Sequence, residues 1–146
     1  MKEQFVTYEI ALKLKKLGFD EFCFAHYING DLITKTAILK SSTMQYYQQN
    51  NINPSNQYKD KKCTAPLWQQ VIDWFRNKYN LLIDSPKLDE LNIGKWSVKI
   101  TSLDKSTVLE EFVDQPYWRL YRCFRTYEEA REQAILKAIE LIKNKN

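Results

Sequence analysis

One short stretch near the C-terminal end of the chain, PYWRLYRCFR, combines aromatic side chains with arginines. Arginine offers several N–H donors that suit phosphate oxygens, and an aromatic ring can stack on a nucleobase. These residue types therefore predict a small platform for an anionic ligand such as a nucleotide, or for nucleic acid. The candidate ligand-binding residues are Tyr117, Arg119, Tyr121, Arg122 and Arg125.

The same stretch is also typical of a β-strand with a structural role. Side chains alternate between the two faces of a strand, which places Arg119 and Arg125 towards solvent and Arg122 on the opposite face. The core face then contains Trp118, Leu120 and Phe124. Only a bulge in the strand would bring the arginines together, and both interpretations stay open.

The single histidine and the scattered cysteines do not match a known catalytic or metal-binding pattern. Cys23 and His26 lie three residues apart, so on one strand they point to opposite faces and form no thiol–imidazole pair. The chain contains no C-x-x-C pair, no phosphate-binding glycine motif and no G-x-S-x-G elbow. We therefore expect no catalytic residue, no metal and no other cofactor. A small hydrolase built from distant carboxylates is the enzymatic alternative.

The charge pattern is that of a mildly basic protein whose surface carries both signs. The chain has 22 basic and 18 acidic residues and a net charge of +4, and its sequence pI is about 8.9. Nucleic-acid-binding domains often exceed pI of about 9 and concentrate their charge on one face. The N-terminus lacks an apolar signal core, and an odd number of cysteines indicates reduced thiols. We expect a cytoplasmic protein without a membrane segment.

The N-terminal part of the chain predicts a helix followed by a β-hairpin. Apolar residues recur with helical spacing over 3–17, and Gly18 suits the left-handed position that ends a helix. The Asn29-Gly30 pair tolerates positive φ and favours a type I′ turn. The hairpin strands are predicted over 22–28 and 32–38, with Phe22, Phe24 and Ile28 on the same face as His26 and with Ile33 opposite His26.

Residues 40–62 predict a long polar connection that lacks helical or strand periodicity. A structureless connection of this length is uncommon inside a compact domain, and it is usually either functional or mobile. We predict a mobile loop at 40–62. A ligand lid or a partner-binding loop is the alternative.

The remaining elements are two helices and the strands between them. Residues 64–79 predict a helix capped by Thr64, with an apolar stripe that comprises Trp68, Val71, Ile72, Phe75 and Tyr79. The last helix opens with the capping box Thr126 and Glu129, and its acidic first turn argues against phosphate binding there. Its apolar face comprises Ala130, Ala134, Ile135, Ala138, Ile139 and Ile142. Strands are predicted over 81–83, 95–103, 107–113 and 117–124.

This order of elements predicts the α+β class. We expect a single domain over 1–146, with a mostly antiparallel sheet of about five strands and three helices packed on it.

Three segments resemble a group of small uncharacterised accessory proteins from gut bacteria, their prophages and their phages. The segments are FVTYEIALKLKKLGFDEFCF, TAPLWQQVIDWFRNKYNL and TYEEAREQAILKAIELIK. The resemblance implies an accessory protein of phage or mobile-element origin in the cytoplasm of a bacterial host cell. It assigns no activity and no catalytic residue to this chain.

Taken together, these observations predict a non-enzymatic accessory protein that binds a host protein or a small anionic ligand such as a nucleotide. The alternative is a nucleic-acid-binding accessory protein that uses the Arg/Tyr stretch at 117–125. A protein-binding module predicts an exposed apolar patch, whereas a nucleic-acid binder predicts a contiguous basic stripe and an affinity that falls steeply with salt.

Overall fold

A computed structural model of the chain describes residues 2–34, 38–43, 62–88, 95–104, 107–112 and 124–144, with 107–112 described as backbone. The chain divides into two compact units, Met1–Gln70 and Val71–Asn146. Each unit contains described helical residues and its own antiparallel sheet. The expectation that 1–146 is one domain stays a prediction.

The described helices are α1 (Tyr8–Lys16), α2 (Trp68–Tyr79) and α3 (Tyr127–Lys143), and a 3-10 turn covers Lys2–Gln4. The described strands are β1 (His26–Ile28), β2 (Asp31–Ile33), β3 (Lys62–Thr64), β4 (Leu81–Ile83), β5 (Lys87–Leu88), β6 (Trp96–Ser102) and β7 (Thr107–Phe112). The boundary between the two units falls inside α2.

The described strands form two sheets instead of the single sheet that we expected. The first unit has the order β2-β1-β3, and the second has the order β4-β6-β5 with β7 also paired to β6. Every one of these pairs is antiparallel. The α+β class with antiparallel pairing is therefore confirmed, and the strands are divided between two small sheets.

Strand β3 explains why the first unit has a sheet of its own. Thr64 is the partner of His26, and Cys63 is the partner of Tyr27, so β3 covers the side of β1 that β2 leaves open. The prediction that Thr64 caps a helix over 64–79 is wrong, because Thr64 lies in this strand and α2 begins at Trp68. Lys62, which we assigned to the long loop, belongs to β3 as well.

The hairpin turn and the end of the first helix follow their local signals. Asn29 and Gly30 have φ of 53° and 98°, and His26 pairs with Ile33 as predicted. At the end of α1, Gly18 has φ of 83°. The Phe19 N–H donates to the Leu14 carbonyl at 3.0 Å, and the Gly18 N–H donates to the Lys15 carbonyl at 3.1 Å, which is a Schellman cap.

The start of the predicted first helix and the length of the hairpin strands differ from expectation. Helix α1 begins at Tyr8 instead of residue 3, because the chain before it pairs elsewhere: the Val6 N–H donates to the Pro66 carbonyl. The Tyr27 hydroxyl donates to the Val6 carbonyl at 2.7 Å. The hairpin strands span three residues each, shorter than predicted, and Cys23 then pairs with Leu39 in an isolated bridge.

In the second unit, the central strand β6 and helix α3 match the sequence patterns. Val98 and Ile100 are buried, while Lys99 between them is partly exposed. Helix α3 packs against β6 and β4. All six residues of the apolar face predicted for α3 are buried, namely Ala130, Ala134, Ile135, Ala138, Ile139 and Ile142.

The apolar stripe of α2 is confirmed in part. Trp68, Val71 and Phe75 are buried, and Ile72 and Tyr79 are half-buried. Trp74 is also buried, and its ring contacts the Phe75 and Tyr79 rings at centroid distances of 5.2 and 5.1 Å.

The predicted mobile loop at 40–62 lies mostly outside the described residues, which omit 44–61. Its first residues are ordered differently from the prediction, because residues 41–43 are helical. The Ser42 N–H and hydroxyl both donate to the Asp20 carboxylate at 2.7 Å, and the Ser41 and Thr64 hydroxyls lie 2.9 Å apart. The mobility of the remainder stays a prediction.

Candidate binding surface

Four of the five predicted ligand-binding residues lie outside the described part of the chain. These are Tyr117, Arg119, Tyr121 and Arg122. The predicted core residues Trp118 and Leu120 lie outside it as well, so the strand over 117–124 is described only at Phe124. The anion platform and the structural strand therefore both stay predictions for this segment.

Phe124 and Arg125 occupy the positions that the strand interpretation gives them. Phe124 is buried and exchanges two backbone hydrogen bonds with Trp96, at 2.8 and 3.0 Å. Arg125 is exposed, and its backbone N–H donates to the Glu129 carboxylate at 3.1 Å. The Glu129 N–H donates in turn to the Thr126 hydroxyl, which confirms Thr126 as the cap of α3. The acidic groups at this helix end oppose an anionic ligand there.

A second feature, beside Phe124 and Arg125, is a cluster of two aromatic rings and one guanidinium that the sequence pattern did not predict. The Trp96 and Tyr127 rings meet edge to face at a centroid distance of 5.3 Å, and the Arg131 guanidinium lies 5.3 Å from the Tyr127 ring. Trp96 belongs to β6 and the other two belong to α3. The stack therefore joins the start of α3 to the sheet of its own unit, and a structural role accounts for it.

The cysteines of the first unit are not poised for nucleophilic chemistry. Cys23 and Cys63 are buried and form no disulfide. Burial raises the pKa of each thiol to about 11. The Cys23 thiol donates to the Glu21 carbonyl and to the Gln70 side-chain oxygen. Because the thiolate is the nucleophile, thiols that stay protonated at neutral pH are inert.

The single histidine is a core residue, as its position on an aromatic strand predicts. His26 is buried and lies beside Thr64 on the neighbouring strand. Burial lowers its pKa, and the positive charge of Lys62 lowers the pKa further. His26 is therefore neutral at physiological pH. Among the described residues no group of three or more His, Cys, Asp or Glu side chains could hold a metal ion.

Among the described residues of the first unit, a group of large exposed apolar side chains surrounds the Cys23–Leu39 bridge. Phe22 is 60% exposed, Phe24 is 59% exposed and Ile38 is 52% exposed. We call these three residues the Phe22–Phe24–Ile38 surface. Exposed apolar side chains that cluster in this way often mark an interaction site, whereas single ones are common on any protein.

The bridge explains why these side chains point outwards together. Cys23 exchanges two backbone hydrogen bonds with Leu39, at 2.9 and 3.1 Å, and its side chain is buried. Because side chains alternate along paired strands, the neighbours of Cys23 and Leu39 lie on the opposite face. The Gln70 side-chain amide donates to the Phe22 carbonyl at 2.8 Å and holds this segment in place.

Charged groups border the surface at one end. The Lys40 ammonium lies 4.6 Å from the centroid of the Phe22 ring, in a cation–π contact. Asp20 lies close enough to Lys40 for their charges to interact. Burial acts to raise the pKa of Asp20, but the hydrogen bonds from Ser42 and the charge of Lys40 outweigh it, so the pKa is lowered. The apolar surface is therefore flanked by the Lys40 ammonium and by the Asp20 carboxylate, which accepts hydrogen bonds from Ser42.

The sequence prediction did not identify this surface, because it placed Phe22 and Phe24 on the same face as His26. That assignment assumed one regular strand over 22–28, whereas β1 covers only His26–Ile28. The available signal was the alternation of Phe22 and Phe24 with Cys23 and Ala25, which are both buried. Cysteine and alanine are among the residue types most often fully buried, so they indicate the inner face.

Within the described ranges, no helix is both long and apolar enough to cross a membrane. Comparison of the chain with protein-family models, with curated proteins and with solved structures finds no match.

Proposed function

We propose that this chain is a non-enzymatic accessory protein that binds another protein through the Phe22–Phe24–Ile38 surface. The observation that carries the proposal is the exposure of two neighbouring phenylalanines, at 60% and 59%. A host protein as the partner, a phage or mobile-element origin and a location inside a bacterial cell follow from the resemblance of three sequence segments and are proposed with it.

The energetics of the surface favour a protein partner. Burying one phenylalanine side chain is worth about 1.5–3 kcal/mol. Aromatic anchors of this kind tend to supply much of the binding energy at an interface. Removing both rings should therefore weaken a complex by about a hundredfold or more.

Binding of a nucleotide or of nucleic acid through the stretch at 117–125 is the alternative. Its support is the exposure of Arg125 together with the sequence pattern, while the acidic first turn of α3 opposes it. Protein binding through the apolar surface and nucleic-acid binding through the stretch at 117–125 differ in how strongly their affinity depends on salt. If each of the three arginines contacts one phosphate, nucleic-acid affinity should fall by about twenty- to fortyfold between 50 and 200 mM salt, whereas the affinity of an apolar contact changes little.

The proposal can be tested with a displayed library of random twelve-residue peptides, selected on the immobilised full chain. The affinity of each enriched peptide is then measured for the wild type, for the double variant Phe22→Ser and Phe24→Ser, and for the control variant Leu88→Ser. Leu88 is 58% exposed and lies in the second unit, so it matches the phenylalanines in exposure.

We expect enriched peptides that bind the wild type and the Leu88→Ser control equally and that bind the double variant about a hundredfold more weakly. Peptides that bind the double variant as well as the wild type would contradict the proposal. Binding of single-stranded oligonucleotides that falls steeply with salt would support the alternative.

A further inference from the structure

We infer that the Phe22–Phe24–Ile38 surface is acid-sensitive, because protonation of His26 opens the buried polar cluster that holds the two segments of the surface together. A partner bound there is therefore released as the pH falls. This inference rests on the proposed function, since it describes how binding at the same surface responds to pH.

The polar cluster is built around Thr64. It consists of His26, Thr64, Ser41 and Cys23, and all four side chains are buried. Thr64 is the cross-strand partner of His26, so the two side chains lie next to each other on one face of the sheet. The Thr64 hydroxyl lies 2.9 Å from the Ser41 hydroxyl, and it is close enough to the Cys23 thiol to share a hydrogen bond with it. Thr64 therefore connects His26 to the other two side chains.

Both segments of the apolar surface are attached to this cluster. Cys23 lies between the two phenylalanines, and Ser41 lies two residues after Leu39, which is the partner of Cys23 in the isolated bridge. The Ala65 N–H donates to the Ala25 carbonyl at 2.8 Å, so the chain after Cys23 also pairs on the β3 side. Opening the cluster around Thr64 would therefore remove the buried contacts that keep the two segments side by side.

A positive charge on His26 is unfavourable in this position. Burial lowers the pKa of the imidazole from its ordinary value of 6.5, and the positive charge of Lys62 lowers the pKa further. A segment that has opened locally exposes His26 to water, where its pKa returns to the ordinary value. The closed cluster is therefore fully stable above pH 6.5 and loses stability as the pH falls below 6.5, until the pH has passed through the lowered pKa.

The other elements beside His26 contribute few charges. On β2 its cross-strand partner is the apolar Ile33, and Asp31 lies one row further along the same face, exposed to solvent, which screens its carboxylate. The Cys23 thiol stays neutral, because burial raises its pKa to about 11. The charged residues of the two surface segments and of the chain just before them are Asp20, Glu21 and Lys40. Their effect on the pH dependence is separated from that of His26 by the variant His26→Gln.

The first test is a titration of the wild type by nuclear magnetic resonance. The chain has one histidine, so the imidazole signal of the untagged protein belongs to His26. We expect a titration midpoint below 6.5, and the variant Lys62→Gln should raise that midpoint because it removes the nearby positive charge. A midpoint at or above 6.5 in the wild type would overturn the inference.

Amide hydrogen exchange then measures the opening itself. The Cys23 and Leu39 amides each donate to the carbonyl of the other residue, so they exchange only when the bridge opens. Corrected for the intrinsic effect of pH, their exchange should be faster at pH 5.0 than at pH 7.5. The increase cannot exceed about thirtyfold, because one proton contributes at most about tenfold for each pH unit below 6.5. The Leu14 amide in α1 is the reference and should change less.

Peptide binding is the third measurement. From the selection described above, peptides without His, Asp or Glu are chosen, so that the peptide itself does not titrate. Their affinity for the wild type should fall between pH 7.5 and pH 5.0, by no more than about thirtyfold, whereas their affinity for His26→Gln should stay constant.

Equal losses of affinity in the two proteins, or bridge amides whose exchange does not accelerate in acid, would overturn the inference and leave the proposed function standing. Absence of any peptide that distinguishes the wild type from the double phenylalanine variant would overturn the proposed function. The titration and the exchange measurements need no peptide, so they would still decide whether acid opens the cluster, and they do not depend on the folding of His26→Gln.

Discussion

At the residue scale, burial determines the protonation state of the described thiols and of the histidine. Cys23, Cys63 and His26 are all buried, and burial disfavours the charged form of each side chain. The thiols therefore have raised pKa values and the imidazole has a lowered one. Each of these groups is neutral at physiological pH, which suits a structural role.

This protonation state predicts slow alkylation of the two thiols. A rise of the pKa from 9.0 to about 11 lowers the thiolate fraction at pH 8 by about a hundredfold. We expect iodoacetamide to modify Cys23 and Cys63 at least about a hundredfold more slowly in the native protein than in denaturant. Site-resolved mass spectrometry measures the rates. Equal rates in the two conditions would show that the thiols are reactive.

The Asp20 carboxylate predicts a specific dependence of stability on pH. Its pKa is lowered in the folded protein from the ordinary value of 3.8, so the carboxylate stabilises the fold above that ordinary value. That contribution is lost as the pH falls through the folded pKa. The wild type should therefore exceed Asp20→Asn in stability at pH 6, and the difference should shrink towards pH 3.

Urea unfolding of both proteins at several pH values measures this difference. Ser42→Ala is a second variant that removes only the hydroxyl donor and leaves the N–H donor to Asp20. The Ser42→Ala variant should therefore retain part of the pH-dependent stabilisation by Asp20. A difference between wild type and Asp20→Asn that does not change with pH would contradict this account.

At the element scale, α2 shows how an amphipathic pattern translates into burial. Phe75 is fully buried and Val71, one turn earlier, is as well. Phe75→Ala should lower the free energy of unfolding by about 3–5 kcal/mol, because it removes a large buried side chain and leaves a cavity. The exposed neighbour Asn77 is the matched control, and Asn77→Ala should change stability by less than about 0.5 kcal/mol. A loss below about 1 kcal/mol for Phe75→Ala would mean that this face is not core.

At the scale of the whole molecule, the exposed apolar area found among the described residues predicts a monomer. The Phe22–Phe24–Ile38 surface offers about 300–400 Å², less than half of what each partner buries in a standard interface. The net charge of +4 adds a weak repulsion between copies. Sedimentation of the wild type at micromolar concentration should therefore give a mass near 17.5 kDa. A dimer that dissociates on substitution of Phe22 and Phe24 would show that a second copy occupies the surface.

Signals that act over a few residues were sufficient for several parts of this fold. The capping box at Thr126, the Asn29-Gly30 turn and the Gly18 helix end all depend on local backbone conformation and nearby hydrogen bonds. The alternation along β6 and the apolar face of α3 have clear periods, because each element buries one side against a sheet or a helix. Sequence patterns therefore predicted the α+β class and most of the longer elements.

Tertiary structure decided the features that depend on contacts between distant residues. Strand β3 is three residues long, which is too short to show a periodic pattern in the sequence. Only its pairing with β1 identifies it as a strand and adds it to the first sheet. The Cys23–Leu39 bridge likewise joins residues sixteen positions apart and determines which face of 22–24 is buried. Phe22 and Phe24 are apolar in either arrangement, and the sequence alone could not distinguish a core from a binding surface. Their exposure depends on what packs against the strand, which is a property of the folded unit.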